Sequence, residues 1–190
     1  MFGSLFALET RLGRLISSAK EPALGQLRLA WWREQVGDLS GMAHADPVLQ
    51  QLAVNWPGEE QALISVIHGW EDLLTAASEM PEEPVASRAA GYQAAGRLIC
   101  PDAEGEGVAT LARWWVAADI LPYLQHPPAR EALLQTSKGW PSALPRVPRL
   151  LRPLSVLAAL GQRSIERGGA PMLSRRSDAL IAFRVGLLGV

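Results

Sequence analysis

Residues 22–34 read Pro22-Ala-Leu-Gly-Gln-Leu-Arg28-Leu-Ala-Trp31-Trp32-Arg33-Glu34. Proline has no N–H to lose at a first helical position, and its fixed φ suits that place. Behind it Leu24, Leu27 and Trp31 recur at the three- and four-residue spacing of one helical face, which is expected to enter the core. Strand alternation is absent. The segment therefore predicts an amphipathic helix that ends where Gly37 to Gly41 break the pattern.

The same period extends in both directions. Upstream, Leu5, Leu8, Leu12, Leu15, Ile16 and Ala19 share a face. Downstream, Asp46 and Pro47 read as N-cap and first residue of a short helix through Trp56. Leu63, Val66, Ile67, Trp70 and Leu74 form the next stripe, and residues 79–84 read as a polar connector. Residues 85–100 predict a helix rich in Ala and Gly. Small side chains let backbones approach closely, so this helix is expected at the centre. A loop is expected over residues 101–107, then a helix over 108–124 shortened by Pro122. Further prolines punctuate the second half, yet residues 148–167 keep the helical period, and a last helix is expected from Ser177 towards Leu188. Eight or nine helices in one all-α, single-domain bundle is the predicted architecture.

Composition narrows the function classes. The chain has 190 residues, 48% of them hydrophobic, which suits one globular domain. Eighteen basic and nineteen acidic residues nearly balance, which gives no electrostatic reason to expect nucleic acid as partner. Cys100 is the single cysteine, so no intrachain disulfide forms and a reduced cytoplasm is the default location. No apolar run is long enough to span a bilayer, and Glu9, Arg11 and Arg14 interrupt the apolar start that a signal peptide would need. Peripheral membrane contact stays open.

Residues 22–34 resemble the "P-x-L-G-E-I-R-L-Q-W-W-R" stretch of the squalene/phytoene synthase family, above all its divergent bacterial and mitochondrial members. Arg28, Trp31, Trp32 and Arg33 carry the signature. Other segments follow in family order: Asp46-Pro47-Val48, His68-Gly69-Trp70-Glu71-Asp72-Leu73, Gly91-Tyr92 through Gly96, and Ser142-Ala-Leu-Pro145. The resemblance runs from about Phe6 to Leu188. It implies an isoprenoid-synthase-like helical bundle around a prenyl cavity. Met1 stands close before the signature, so the domain is expected to be shortened at its N-terminus.

Active members of that family ionise prenyl diphosphates with Mg²⁺ held by two helical D-x-x-x-D motifs. A spacing of four sets both carboxylates on one face. The first motif region here holds one acid, Glu9, among the cations Arg11, Arg14 and Lys20. The second holds one, Asp119, with Tyr123 four residues on. One carboxylate per motif cannot hold the metals, and cations repel them. The pairs Glu34/Asp38, Glu79/Glu83 and Asp102/Glu106 read as solvated charge. His44, His68 and His126 show no metal-ligand spacing, and Cys100 has no evident partner.

No catalytic residue, no metal site and no cofactor is therefore expected. Mg²⁺ enters only under the alternative of an active prenyl transferase that condenses prenyl diphosphates. The leading expectation is a catalytically degenerate relative that binds a prenyl or lipid ligand, or a partner protein. The branch acting in respiratory complex I assembly is the nearest family precedent. An apolar pocket is expected where the Ala89–Gly96 stretch faces Leu111, Trp115 and Ala118, with Tyr92, Gly96, Trp115 and Asp119 as cavity candidates.

Overall fold

The computed structural model of the chain describes residues 1–19, 21–41, 44–74, 81–124 and 126–189. Among them are nine α-helices and no strand: α1 (Phe2–Ser18), α2 (Pro22–Gly37), α3 (Pro47–Asn55), α4 (Glu60–Leu74), α5 (Glu82–Ile99), α6 (Gly105–Ile120), α7 (Pro127–Thr136), α8 (Arg152–Glu166) and α9 (Arg176–Leu188). Proline opens α2, α3 and α7 and stands one residue inside α8, where a missing N–H costs no bond. The Asp46 carboxylate caps α3 by accepting from the Val48 N–H at 2.8 Å. Pro122 falls in a 3-10 turn, Leu121–Tyr123, that closes α6.

α5 lies at the centre, packed between α4 and α6, while α6 carries α8 on its other side. Side-chain volume explains the arrangement. A Cβ on Gly69 would meet the Pro84 carbonyl oxygen at 2.9 Å, and one on Gly161 the Trp114 carbonyl oxygen at 2.6 Å. Bare backbone at these points lets α4 approach α5 and α8 approach α6. One continuous apolar core, from Leu5 to Ile165, runs through the bundle, and α9 adds no residue to it.

Several elements differ from the sequence expectations. Gly105 opens α6 rather than lying in a loop, and Glu82–Pro84 form the first turn of α5 rather than a connector. α7 was not expected, because Pro127–Pro128 reads as a break. In α2 the buried stripe is Gly25, Leu29, Trp32 and Val36. Leu24, Leu27 and Trp31 face outward, Trp31 with 46% of its surface exposed, so the expectation that Trp31 is a core residue is corrected. The sequence carries two adjacent apolar stripes there. Packing on α4, with Gly25 against Leu74, selects the second.

Candidate functional site

Glu9 occupies the core-facing side of α1, between Leu5 and Leu12. Arg88 occupies the core-facing side of α5, one turn from Val85 and from Tyr92. A buried cation and a buried anion are each prohibitive alone. Here they meet: Arg88 Nε donates to Glu9 Oε2 at 3.0 Å, and Nη2 lies 2.8 Å from the same oxygen. Nη2 also donates to Asp119 Oδ2 of α6 at 2.5 Å. Arg88 has no exposed surface, Glu9 has 6%, and the Asp119 side chain keeps 28%. The lone acids of the two expected motif regions thus converge on one guanidinium.

Aromatic side chains complete the surroundings. Trp70 of α4 donates its Nε1–H to Glu9 Oε2, and its ring lies under the Arg88 guanidinium at 4.1 Å. Tyr123 meets Trp70 edge-on at 4.9 Å. Gly13 permits this assembly, since a Cβ there would meet the Tyr123 hydroxyl at 2.9 Å and Trp70 at 3.1 Å.

The electrostatics follow from burial. Desolvation raises the Glu9 carboxyl above its ordinary value, although Arg88 and the Trp70 N–H pull the other way and Asp119 adds to the rise. Desolvation works against the Arg88 charge, but Glu9 and Asp119 outweigh it and keep the guanidinium protonated. Burial raises the phenols of Tyr92 and Tyr123, with Glu9 adding to the first and Asp119 to the second.

Beside this network opens a pocket of about 620 Å³ between α1, α4, α5 and α6. Glu9, Arg88 and Trp70 form its inner wall, Phe6 and Trp115 an apolar side, and Arg14, Ser17 and Ser18 the rim. Among the described residues, one buried donor on its wall, Arg88 Nη1, has no hydrogen-bond partner, while the buried Tyr92 hydroxyl and Trp115 indole N–H face each other.

Of the four cavity candidates, Trp115 and Asp119 line the pocket. Tyr92 is fully buried behind it, 6.5 Å from the Trp115 ring between centroids. Gly96 lies elsewhere: a Cβ there would meet Val108 at 2.7 Å, so it is a packing contact of α5 with α6. Leu111 and Ala118 are likewise closed into the core, and the inner wall is ionic where apolar lining was expected. Among the signature residues, Trp32 is buried, Arg28 is exposed, and Arg33 ion-pairs with Glu71 at 2.8 Å, which ties α2 to α4.

Arg88 is the functional candidate that sequence reasoning missed. Its signal was a lone cation at a core position of a helix of small residues. Lys20 and Glu79 lie outside the described residues. Arg11 turns away to pair with Asp46 at 3.1 Å. Glu34, Asp38, Asp102 and Glu106 are exposed. The residues do not fit the family's Mg²⁺ cluster: Glu9 and Asp119 already share Arg88, and no group of three His, Cys, Asp or Glu among the described residues is placed to hold a metal. No described helix is long and apolar enough to cross a membrane. Comparison with protein-family models, curated proteins and solved structures finds no match.

Proposed function

We propose that this chain is a non-catalytic, squalene/phytoene-synthase-like protein whose central pocket binds a prenyl or lipid molecule. One observation carries the reading: Arg88 stands between the only acids of the two motif regions, so the bundle supplies its own internal cation where catalysis would require bound metal. The Arg88 charge is already shared by two carboxylates, and a guanidinium is not a Lewis acid that could bridge a diphosphate as a metal does. The remaining features suit binding. The volume lies in the range of about 300–1,000 Å³ usual for small-molecule sites. Phe6 and Trp115 offer apolar surface, and each buried methylene contributes about 0.8 kcal/mol. The unpartnered Arg88 Nη1 on the pocket wall favours a ligand that ends in an acceptor oxygen, such as a prenol or a lipid ester.

Farnesol titration tests this, followed by the total tryptophan emission in the parent and in Trp115→Ala, with native mass spectrometry of gently purified protein. Saturable binding that weakens in Trp115→Ala is expected, with no condensation of prenyl diphosphates. Absence of both co-purifying ligand and saturable binding up to the solubility limit would overturn the reading.

A further inference from the structure

α9 is turned the wrong way for a helix that serves only its own bundle. At 100° per residue, Asp178, Ile181, Ala182, Val185 and Gly186 form one face, and these are its buried or half-buried residues against α8. The opposite face carries Arg176, Leu180, Phe183, Arg184 and Leu187. The large apolar side chains point outward: Leu180, Phe183 and Leu187 are 69%, 67% and 57% exposed. Leu188 and, just before the helix, Leu173 are exposed as well. The turn at Arg149–Leu151 adjoins the far end, where Arg152 donates to the Leu187 carbonyl, and it presents Leu150, 65% exposed. Six of the ten exposed large apolar side chains among the described residues thus gather on this part of the molecule. Exposed apolar surface on such a scale marks an interaction site.

Charge selects the partner. Residues 146–190 contain eight arginines against two acids, Glu166 and Asp178, although the whole chain has a formal charge of −1. Arg163 and Arg167 are taken by Asp178, at 3.2 and 3.1 Å. Arg146, Arg149, Arg176 and Arg184 are exposed, and no ion pair with a described residue engages them. A helix lying in a bilayer interface needs an apolar face flanked by such cations. A second copy docked face to face would bring together two arginine-bearing faces with no acid on either to pair them.

We propose that the outer face of α9, extended by Leu173 and by Arg149–Leu150, docks the protein onto an anionic lipid bilayer. Phe183, Leu180 and Leu187 enter the interface, and Arg176, Arg184 and Arg149 meet the acidic headgroups. The proposal is independent of the pocket and of what fills it.

The test is co-sedimentation of the full chain with vesicles of phosphatidylcholine alone and of phosphatidylcholine mixed with phosphatidylglycerol. Binding is expected to the mixed vesicles and to weaken as salt is added. Replacing Arg176 and Arg184 together by Gln should lower the affinity about thirtyfold. Phe183→Ser should lower it as well, with the melting temperature unchanged because the side chain is exposed. Phe183→Trp should show an emission blue shift on mixed vesicles only. Three results would each overturn the proposal: no binding to mixed vesicles, binding indifferent to both variants, or a concentration-dependent dimer abolished by Phe183→Ser.

Discussion

Arg88 keeps its charge because two carboxylates from different helices share it. Removing the guanidinium strands Glu9 in the interior. Arg88→Met is therefore expected to cost about 3–5 kcal/mol in chemical denaturation. Adding Glu9→Gln and Asp119→Asn should return much of that loss, since no uncompensated charge then stays behind. A single variant as stable as the parent would show that water reaches the network. The raised Glu9 carboxyl sets a pH dependence of definite sign. The folded state holds the proton more tightly than the unfolded chain, so its contribution is full below about pH 4.3 and is lost as pH rises through the raised value. Glu9→Gln should remove that part of the slope in a stability–pH series. Asp178 acts in the opposite sense at lower pH. Desolvation would raise it, but the Arg175 N–H and the Arg163 and Arg167 side chains hold it below its ordinary value. Its contribution is present at neutral pH and lost in acid. The adjacent tryptophans give a third contrast. Trp32→Ala should cost about 3–5 kcal/mol. Trp31→Ala removes an exposed ring and its edge contact to Trp32 at 5.3 Å, and should cost only about 1 kcal/mol.

At the scale of elements, close backbone approaches decide which glycines matter. Gly161→Ala would force a Cβ against the Trp114 carbonyl oxygen, which cannot step aside as a side chain can. A loss of about 1–3 kcal/mol is expected in thermal or chemical denaturation. Gly3 in α1 has nothing within 4 Å of a built Cβ, so Gly3→Ala should stabilise by about 0.4–1 kcal/mol. Helix existence was legible in the sequence for every helix but α7, because apolar period is a local property and Pro127–Pro128 hides the start of α7. α4 illustrates this: the stripe Leu63, Val66, Ile67 and Trp70 is the buried one. Helix orientation was legible only where one stripe exists, and α2 carries two. The ionic wall of the pocket was not legible, because Arg88 and Glu9 stand 79 residues apart and no local pattern pairs them. Glu9 looked like an interruption of an apolar start, whereas its position between Leu5 and Leu12 had placed it inside.

Over the whole molecule, support is unevenly distributed, and that predicts an order of local opening. α5 contacts helices on both sides and contributes Val85, Ala89, Tyr92, Ala94 and Ala95 to the core. α9 rests chiefly on α8, contributes nothing to the continuous core, and is anchored at its first turn by Asp178 between Arg163 and Arg167. Its outward leucines and Phe183 keep more than half of their surface exposed and so gain little burial from folding. Opening α9 therefore exposes little new apolar area, whereas opening α5 dismantles the bundle. Native-state hydrogen exchange should show amides of residues 180–188 exchanging through local opening at a free energy well below that of α5. Amides of residues 88–96 should exchange only through global unfolding. Asp178→Asn weakens the anchor and should lower protection in α9 while leaving α5 within error of the parent. Equal protection of both helices would mean that α9 folds as one unit with the core, and that burial alone misjudges its support.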